Sequence, residues 1–351
     1  MNTIPTIFNE TLPSYTAVGG TERLASTGLS AVILNRSGRY PRRNFFQELE
    51  KTGFDYVISL ENSSERYDLE DLTSRFPFVR FILPQRHLNL GEQINIAASE
   101  LESPLFFVMY NDLKIVAGGN AGRIAQRLCT LNEAEGRSFQ STGHEEDREN
   151  GEEKGSFKRL CTIPVIQNSR FQTLPTLAAP VLFKRKLETR LFTPQGEGVS
   201  SLYPFDGIGI YDRERFLKVL GYDVTLQSAY WQLMDFGFRA HLWGEQIQVS
   251  QQLKLSYDGA SPSEDNTTEE SYRRFYFKNI APVFRKDHAT LPFRKFLGFS
   301  FSSGADPFSA WEDFSASKSW VKINSFRWRA DAKTLTENWE GIPGEETLFP
   351  A

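Results

Sequence analysis

Residues 91–112 read GEQINIAASELESPLFFVMYND, and this stretch decides the fold. A polar turn leads into a short amphipathic segment around Asn95 to Leu101, which Ser103-Pro104 breaks. The apolar run Leu105 to Met109 follows and delivers Asn111 and Asp112 at its end. Such a run reads as a strand covered on both faces, as in an α/β sheet. Open α/β sheets bind ligands beyond the carboxyl ends of their strands. Asp112 is therefore expected on a rigid element where a metal or a sugar nucleotide binds. The plain alternative is a strand that ends in a capping Asp.

Working outward, Leu29 to Leu34 (LSAVIL), Tyr56 to Leu60 (YVISL) and Val79 to Leu83 (VRFIL) are three further short apolar runs. The first is followed at once by Asn35-Arg36, and the second by Glu61-Asn62-Ser63-Ser64. Helices are expected from after Pro41 to Lys51–Gly53, over Leu69 to Phe76, and over Gly91 to Leu101. Strands alternating with helices at these spacings predict an α/β fold with a mostly parallel sheet flanked by helices. Residues 1–28 read as an N-terminal extension, 29–131 as a first half-domain and 159–259 as a second. Residues 132–158 are charged and nearly free of apolar side chains, which predicts a mobile acidic insert. Its carboxylates read as a solvated loop, since nothing fixes them. Leu253 to Tyr257 reads as a strand. Residues 260–351 form a helical appendage rich in aromatic and basic residues, with helical patterning near Tyr272 to Phe284 and Pro307 to Trp328.

Composition narrows the function. The chain has 351 residues and a net charge of −4, which does not favour nucleic acid as a partner. Its 29 Phe against three Met signal aromatic packing or a sugar-facing surface. Cys129 and Cys161 lack the spacing of a zinc site or a disulfide framework. The first residues show no basic segment followed by an apolar core, and no apolar run approaches a membrane span. The expectation is a cytoplasmic protein.

A second block reads PFDGIGIYDRERFLKVLGYDVTLQSAYWQLMDFGFRAHLWGEQI, residues 204–247. With residues 91–112 it resembles the family-two-like glycosyltransferases of the GT-A fold, in the nucleotide-diphospho-sugar transferase superfamily. Gly91 and Asn95 match the helix before the strand, and Asp112 follows Asn95 by 17 positions, as the last Asp of that family's DxD motif does. The first Asp of DxD falls on Tyr110, so the motif here is Tyr110-Asn111-Asp112. Asp212 to Phe216 resembles the Arg-plus-aromatic helix, and Gly221-Tyr222-Asp223 the turn after it. Asp235 to Arg239 resembles Asp-Leu-x-x-Arg, closed by Trp243-Gly244-Glu245. The resemblance covers roughly Leu29 to Tyr257, interrupted by the insert.

The resemblance implies a GT-A fold and metal-assisted transfer of a sugar from a nucleotide-diphosphate sugar to a glycan, lipid-linked or protein acceptor. Residues 29–131 would bind the nucleotide sugar and 159–259 would face the acceptor. Asp112 would ligate Mn²⁺ or Mg²⁺, which need only one or two carboxylates. Asn35, Arg36, Glu61, Asn95, Tyr110 and Asn111 match positions around the donor nucleotide. His288 or Tyr257 would supply the extra contact that some such enzymes take from a C-terminal residue. The family's Glu-Asp pair falls on Gln232 and Leu233, neither of which serves as a base. Asp235 is the first catalytic candidate and Asp206 the second. An ion pair of Asp235 with Arg239, one helical turn on, is the structural alternative.

The Tyr110 and Leu233 departures leave open a catalytically degenerate protein that binds a nucleotide sugar or glycan without turnover. Val18 to Leu24, with Gly19-Gly20, leaves open a sugar-phosphate nucleotidyltransferase, although its glycines precede the first strand. In the C-terminal region, basic residues alternate with aromatics (Phe284-Arg285-Lys286, residues 291–296, Trp320-Val321-Lys322). That pattern suits a peripheral membrane contact. A helical cap packed on the sheet, with a solvated basic face, is the favoured reading.

Overall fold

The computed structural model describes residues 12–36, 42–61, 69–116, 122–128, 130, 158–183, 186–257, 267, 270–303 and 306–339. Most of the acidic insert, with Cys129 and His144, lies outside the described residues.

Leu29–Leu34 (β2) and Leu105–Tyr110 (β5) are adjacent parallel strands at the centre of the sheet. Their alternate side chains enter different cores. Val32, Leu34, Phe106 and Val108 belong to one, while Ala31, Ile33, Phe107 and Met109 belong to the other. A strand with both faces covered cannot show polar alternation, which is why these runs are almost wholly apolar, with the buried Ser30 hydroxyl bonded to that of Ser103. Val57–Leu60 (β3) and Val79–Pro84 (β4) extend the parallel part outward from β2. Tyr15–Gly19 (β1) closes that edge antiparallel to β4, so the stretch read as an N-terminal extension contributes a strand.

On the other side of β5 comes Gly209–Asp212 (β10), antiparallel. Lys158–Gln167 (β7), Glu245–Tyr257 (β11) and Leu113–Ile115 (β6) complete the sheet, in the order β1-β4-β3-β2-β5-β10-β7-β11-β6. The strand expected from Leu253 begins eight residues earlier, at Glu245. A separate hairpin, Leu177–Phe183 (β8) with Lys186–Phe192 (β9), was not signalled by the sequence.

The helices pack on both faces. Arg42–Glu50 (α1) inserts Phe46 and Leu49 into one core, where Phe46 meets Phe76 and Phe81 edge to face. Leu69–Arg75 (α2) joins β3 to β4. Leu90–Glu100 (α3) covers the other face. Its start is fixed by a reciprocal cap: the Asn89 side chain accepts from the Glu92 amide, and the Glu92 carboxylate accepts from the Asn89 amide. Arg213–Lys218 (α4) follows β10, and Ala229–Leu242 (α5) lies on the same side as α3.

The C-terminal helices share that core. Glu270–Phe275 (α6), a π-turn at Tyr276–Ile280, Phe293–Ser303 (α7) and Pro307–Asn324 (α8) contribute Phe275, Phe277, Phe299, Phe314 and Trp320 to it. The chain closes on Ala332–Glu337 (α9). The helix expected over Tyr272 to Phe284 stops at Ile280; Val283–Arg285 (β12) and His288–Thr290 (β13) form a small hairpin. The many Phe residues are largely packing residues, buried in both cores.

Candidate donor-binding site

The carboxyl ends of β2 and β5 lie side by side, with Leu34 in register with Tyr110. The residues that follow each strand therefore meet. The Arg36 amide donates to Asn111 Oδ1 at 3.2 Å, and the guanidinium stacks 3.8 Å from the centre of the Tyr110 ring. Its Nη1 lies 3.5 Å from Asp112 Oδ2, and Nη2 pairs with Asp206. Tyr257, the last residue of β11, donates from its hydroxyl to Asp206 at 3.4 Å. Burial pushes the Tyr257 hydroxyl up to about 12, so it stays a donor at neutral pH. Three segments distant in sequence thus converge on the Arg36 guanidinium.

Asp206 reaches the cluster from a tight turn, Phe205–Gly207. It holds a left-handed backbone, φ 57° and ψ 19°. Non-glycine residues adopt that region at a cost, and such strain concentrates at functional sites. Arg36, Tyr110, Asn111, Asp112 and Asp206 are therefore brought together. Asn35 lies beside them, its amide donating to Leu60 O at 2.5 Å.

Three atoms here have no hydrogen-bond partner among the described residues, all buried: Asp112 Oδ1, Asn35 Oδ1 and Arg36 Nη1, the last 3.5 Å from Asp112 Oδ2. An unpaired buried carboxylate oxygen next to a second carboxylate suits a hard divalent cation, which takes oxygen ligands. Asp112 would hold it, and the Arg36 guanidinium is the positive charge now beside it, between Asp112 and Asp206. No cluster of three or more His, Cys, Asp or Glu occurs among the described residues, so solvent and phosphate oxygens would complete the shell.

Tyr110 also forms part of the wall of an open cavity of about 610 Å³. Arg86, Asn89, Glu92 and Gln93, at the start of α3, and Gln227, just before α5, line it. Arg86 pairs with both oxygens of Glu92, at 2.5 and 3.0 Å. These polar residues were not singled out from the sequence. The Asn89-x-x-Glu92 cap was the legible signal, since it fixes where the helix begins and what its first turn presents.

Other expected residues lie elsewhere. Glu61 is buried, accepting from Ser59 at 2.7 Å and paired with Arg42 at 3.0 Å. Asn95 is 1% exposed and corrects its reading as a donor-site residue. Its side chain clamps Tyr222, accepting from the Tyr222 amide and donating to its carbonyl, each at 2.9 Å. The spacing that ties Asn95 to the motif thus reflects a helix-to-turn clamp. Gly221 is part of it: φ is +59°, and a Cβ there would sit 2.5 Å from Asn95 Oδ1.

Asp235 is corrected as well. It is fully buried in α5, with Arg239 at 2.8 Å, Lys278 at 2.7 Å and the Asn279 amide at 2.7 Å. Burial alone would raise its pKa, but the Lys278 and Arg239 cations together outweigh it and hold the group below its ordinary value. A carboxylate in that position cannot accept a proton from an incoming hydroxyl. Lys278 also meets Asp223 at 2.9 Å, so this network ties the C-terminal helices to the turn after α4. Gln232 accepts from the Gly91 amide at 2.8 Å and donates to Leu226 O, holding α3 and α5 together. Of the two C-terminal candidates Tyr257 reaches the cluster, while His288 pairs with Asp287 on the surface. Gly19 pairs with Arg80 near the amino end of β4, the end of the sheet away from the cluster.

No known family model matches the chain. No curated protein resembles it in sequence. Among solved structures, GalNAc-T7 with UDP, GalNAc and Mn²⁺ is similar at TM-score 0.51 and 12% identity, over 90% of this chain. The chain spans 58% of that protein's length. S. aureus TarS (TM-score 0.45, 13% identity, 71% of this chain and 38% of that one) and the mannosyltransferase PcManGT from Pyrobaculum calidifontis (TM-score 0.42, 7% identity, 84% and 74%) are more distant. The chain has the GT-A fold of glycosyltransferases. Membership of family two is not established by these likenesses.

Proposed function

We propose that this chain is a glycosyltransferase that moves a sugar from a nucleotide-diphosphate donor to the hydroxyl of a glycan, lipid-linked or protein acceptor. The observation that carries this reading is the convergence of Arg36, Tyr110, Asn111, Asp112 and Asp206 beyond the strand ends of a GT-A sheet. The polar cavity behind Tyr110 is the space for the transferred sugar. Asp112 would hold Mn²⁺ or Mg²⁺. When bound, the ion would offset charge on the diphosphate leaving group. Arg36 offers the planar guanidinium that matches phosphate oxygens two at a time.

Asp206 is the catalytic carboxylate in this reading, taking the acceptor proton in an inverting transfer. Its side chain is 19% exposed, whereas Asp235 has no exposure. Incubation with a panel of UDP- and GDP-sugars and Mn²⁺ should yield free nucleoside diphosphate by slow hydrolysis. Asp206→Asn should lower that rate roughly 10²–10⁴-fold. A wild-type protein inert toward every donor would overturn the catalytic reading.

A second reading keeps donor binding and drops turnover. It rests on Gln232, which stands where the family carries a carboxylate and is occupied by two structural hydrogen bonds. Donor binding without hydrolysis or transfer would select it.

A further inference from the structure

Large apolar side chains are exposed unevenly over this molecule. Of the nine exposed ones among the described residues, seven fall between Phe293 and Phe326. Five of them line α7 and the start of α8. Phe293, Leu297 and Phe301 recur every four residues along one side of α7, at 48, 42 and 88% exposure. Phe308 and Trp311, in the first turns of α8, are 82 and 48% exposed. The two sets are continuous, because the Phe293 and Trp311 rings lie 6.2 Å apart. The inner sides of the same helices are firmly seated through Phe296, Phe299 and Phe314, which pack against Phe277. The exposed ring set is therefore held on a rigid platform.

The charge around it has the opposite sign to the whole. Residues 283–329 carry eight Lys and Arg against four Asp and Glu, in a chain of net charge −4. One of those acids, Asp313, is already paired with Arg273 and Arg274. Arg294 and Lys318, on α7 and α8, are exposed. Aromatic rings presented beside exposed cations suit the anionic interface of a lipid bilayer, where the rings sit at headgroup level and the cations meet lipid phosphates. No described helix is long and apolar enough to cross a membrane, so the contact would lie in the interface plane.

We infer that α7 and the start of α8 form a peripheral docking surface for anionic membranes, with Phe301 and Phe308 inserting and Arg294 and Lys318 steering. This stands on the helices alone and is independent of the donor chemistry. The test is co-sedimentation of the full chain with phosphatidylglycerol/phosphatidylcholine vesicles and with pure phosphatidylcholine vesicles. Binding is expected on the anionic vesicles, weakened severalfold at 0.5 M salt. The double variant Phe301→Ser/Phe308→Ser should lose roughly tenfold or more of that binding. Both rings are over 80% exposed, so its melting temperature should match the wild type. Absence of vesicle binding would overturn the inference, as would equal binding by the double variant. Concentration-dependent self-association that the variant abolishes, without vesicle binding, would instead assign the surface to a second copy of the chain.

Discussion

Two carboxylates that the sequence brings forward together have opposite fates. Asp206 is partly exposed and strained, and it faces Arg36. Asp235 is sealed between two cations. Asp235→Asn should therefore act on stability and not on chemistry. Removing one member of a buried ion network leaves its partners uncompensated, at a cost of about 3–5 kcal/mol. Chemical denaturation should show that loss, while turnover per folded molecule stays near wild type; a stable but inactive variant would restore Asp235 as the base. Arg36 makes a sharper case, because its guanidinium lies where a metal's charge would be. Arg36→Met should bind Mn²⁺ alone roughly tenfold more tightly, through loss of a repelling cation. It should bind a nucleoside diphosphate less tightly, through loss of a phosphate partner. Titration calorimetry of each ligand reads both directions, and a same-signed change in the two would refute the competition.

At the scale of elements, the sequence was legible wherever one local rule decided the outcome. LSAVIL and LFFVMY declare doubly covered strands because nearly every position is apolar, Ser30 being hydrogen-bonded to Ser103, and both appear where expected. The cap at Asn89 and the turn at Gly221 are local signals too. What the sequence concealed depends on long-range pairing. The β8–β9 hairpin is a separate two-stranded sheet with no strong turn signature, and β1 is a strand only because β4 offers it an edge. Asn95 shows the same limit at one residue. Its position in the motif is readable, but its role as a clamp on Tyr222 requires knowing that residue 222 folds back 127 positions later. Asn95→Ala should leave the Tyr222 amide and carbonyl unpaired in the core, costing roughly 1–3 kcal/mol for each. Asn95→Ala should also weaken the packing of α3 against α5. Hydrogen exchange should then speed up at Tyr222 before it does in β2; uniform exchange would mean that the clamp is not local.

Across the whole molecule, the C-terminal helices are joined to the GT-A sheet by charge as well as by packing, since Lys278 reaches both Asp223 and Asp235. A second coupling runs through His241 at the end of α5. It faces Ser201 O at 2.9 Å and meets Trp339 in the C-terminal segment edge to face. Burial lowers its pKa from 6.5 to about 4. The folded protein holds it neutral where the unfolded chain would already take up a proton. Stability should therefore fall as pH drops from about 6.5 to 4, and His241→Gln should flatten that slope. A wild-type melting temperature independent of pH over this window would contradict the assignment. The fold itself now rests on the order and direction of nine strands. The claim that its strand ends hold a sugar nucleotide rests on Asp112. The most direct test is calorimetric titration of wild type and Asp112→Asn with UDP- and GDP-sugars, with Mn²⁺ and with a chelator. The account predicts saturable binding of at least one donor that strengthens with Mn²⁺ and is lost in a variant that still folds. Donor binding unchanged in Asp112→Asn, or no binding of any donor by the wild type, would contradict it.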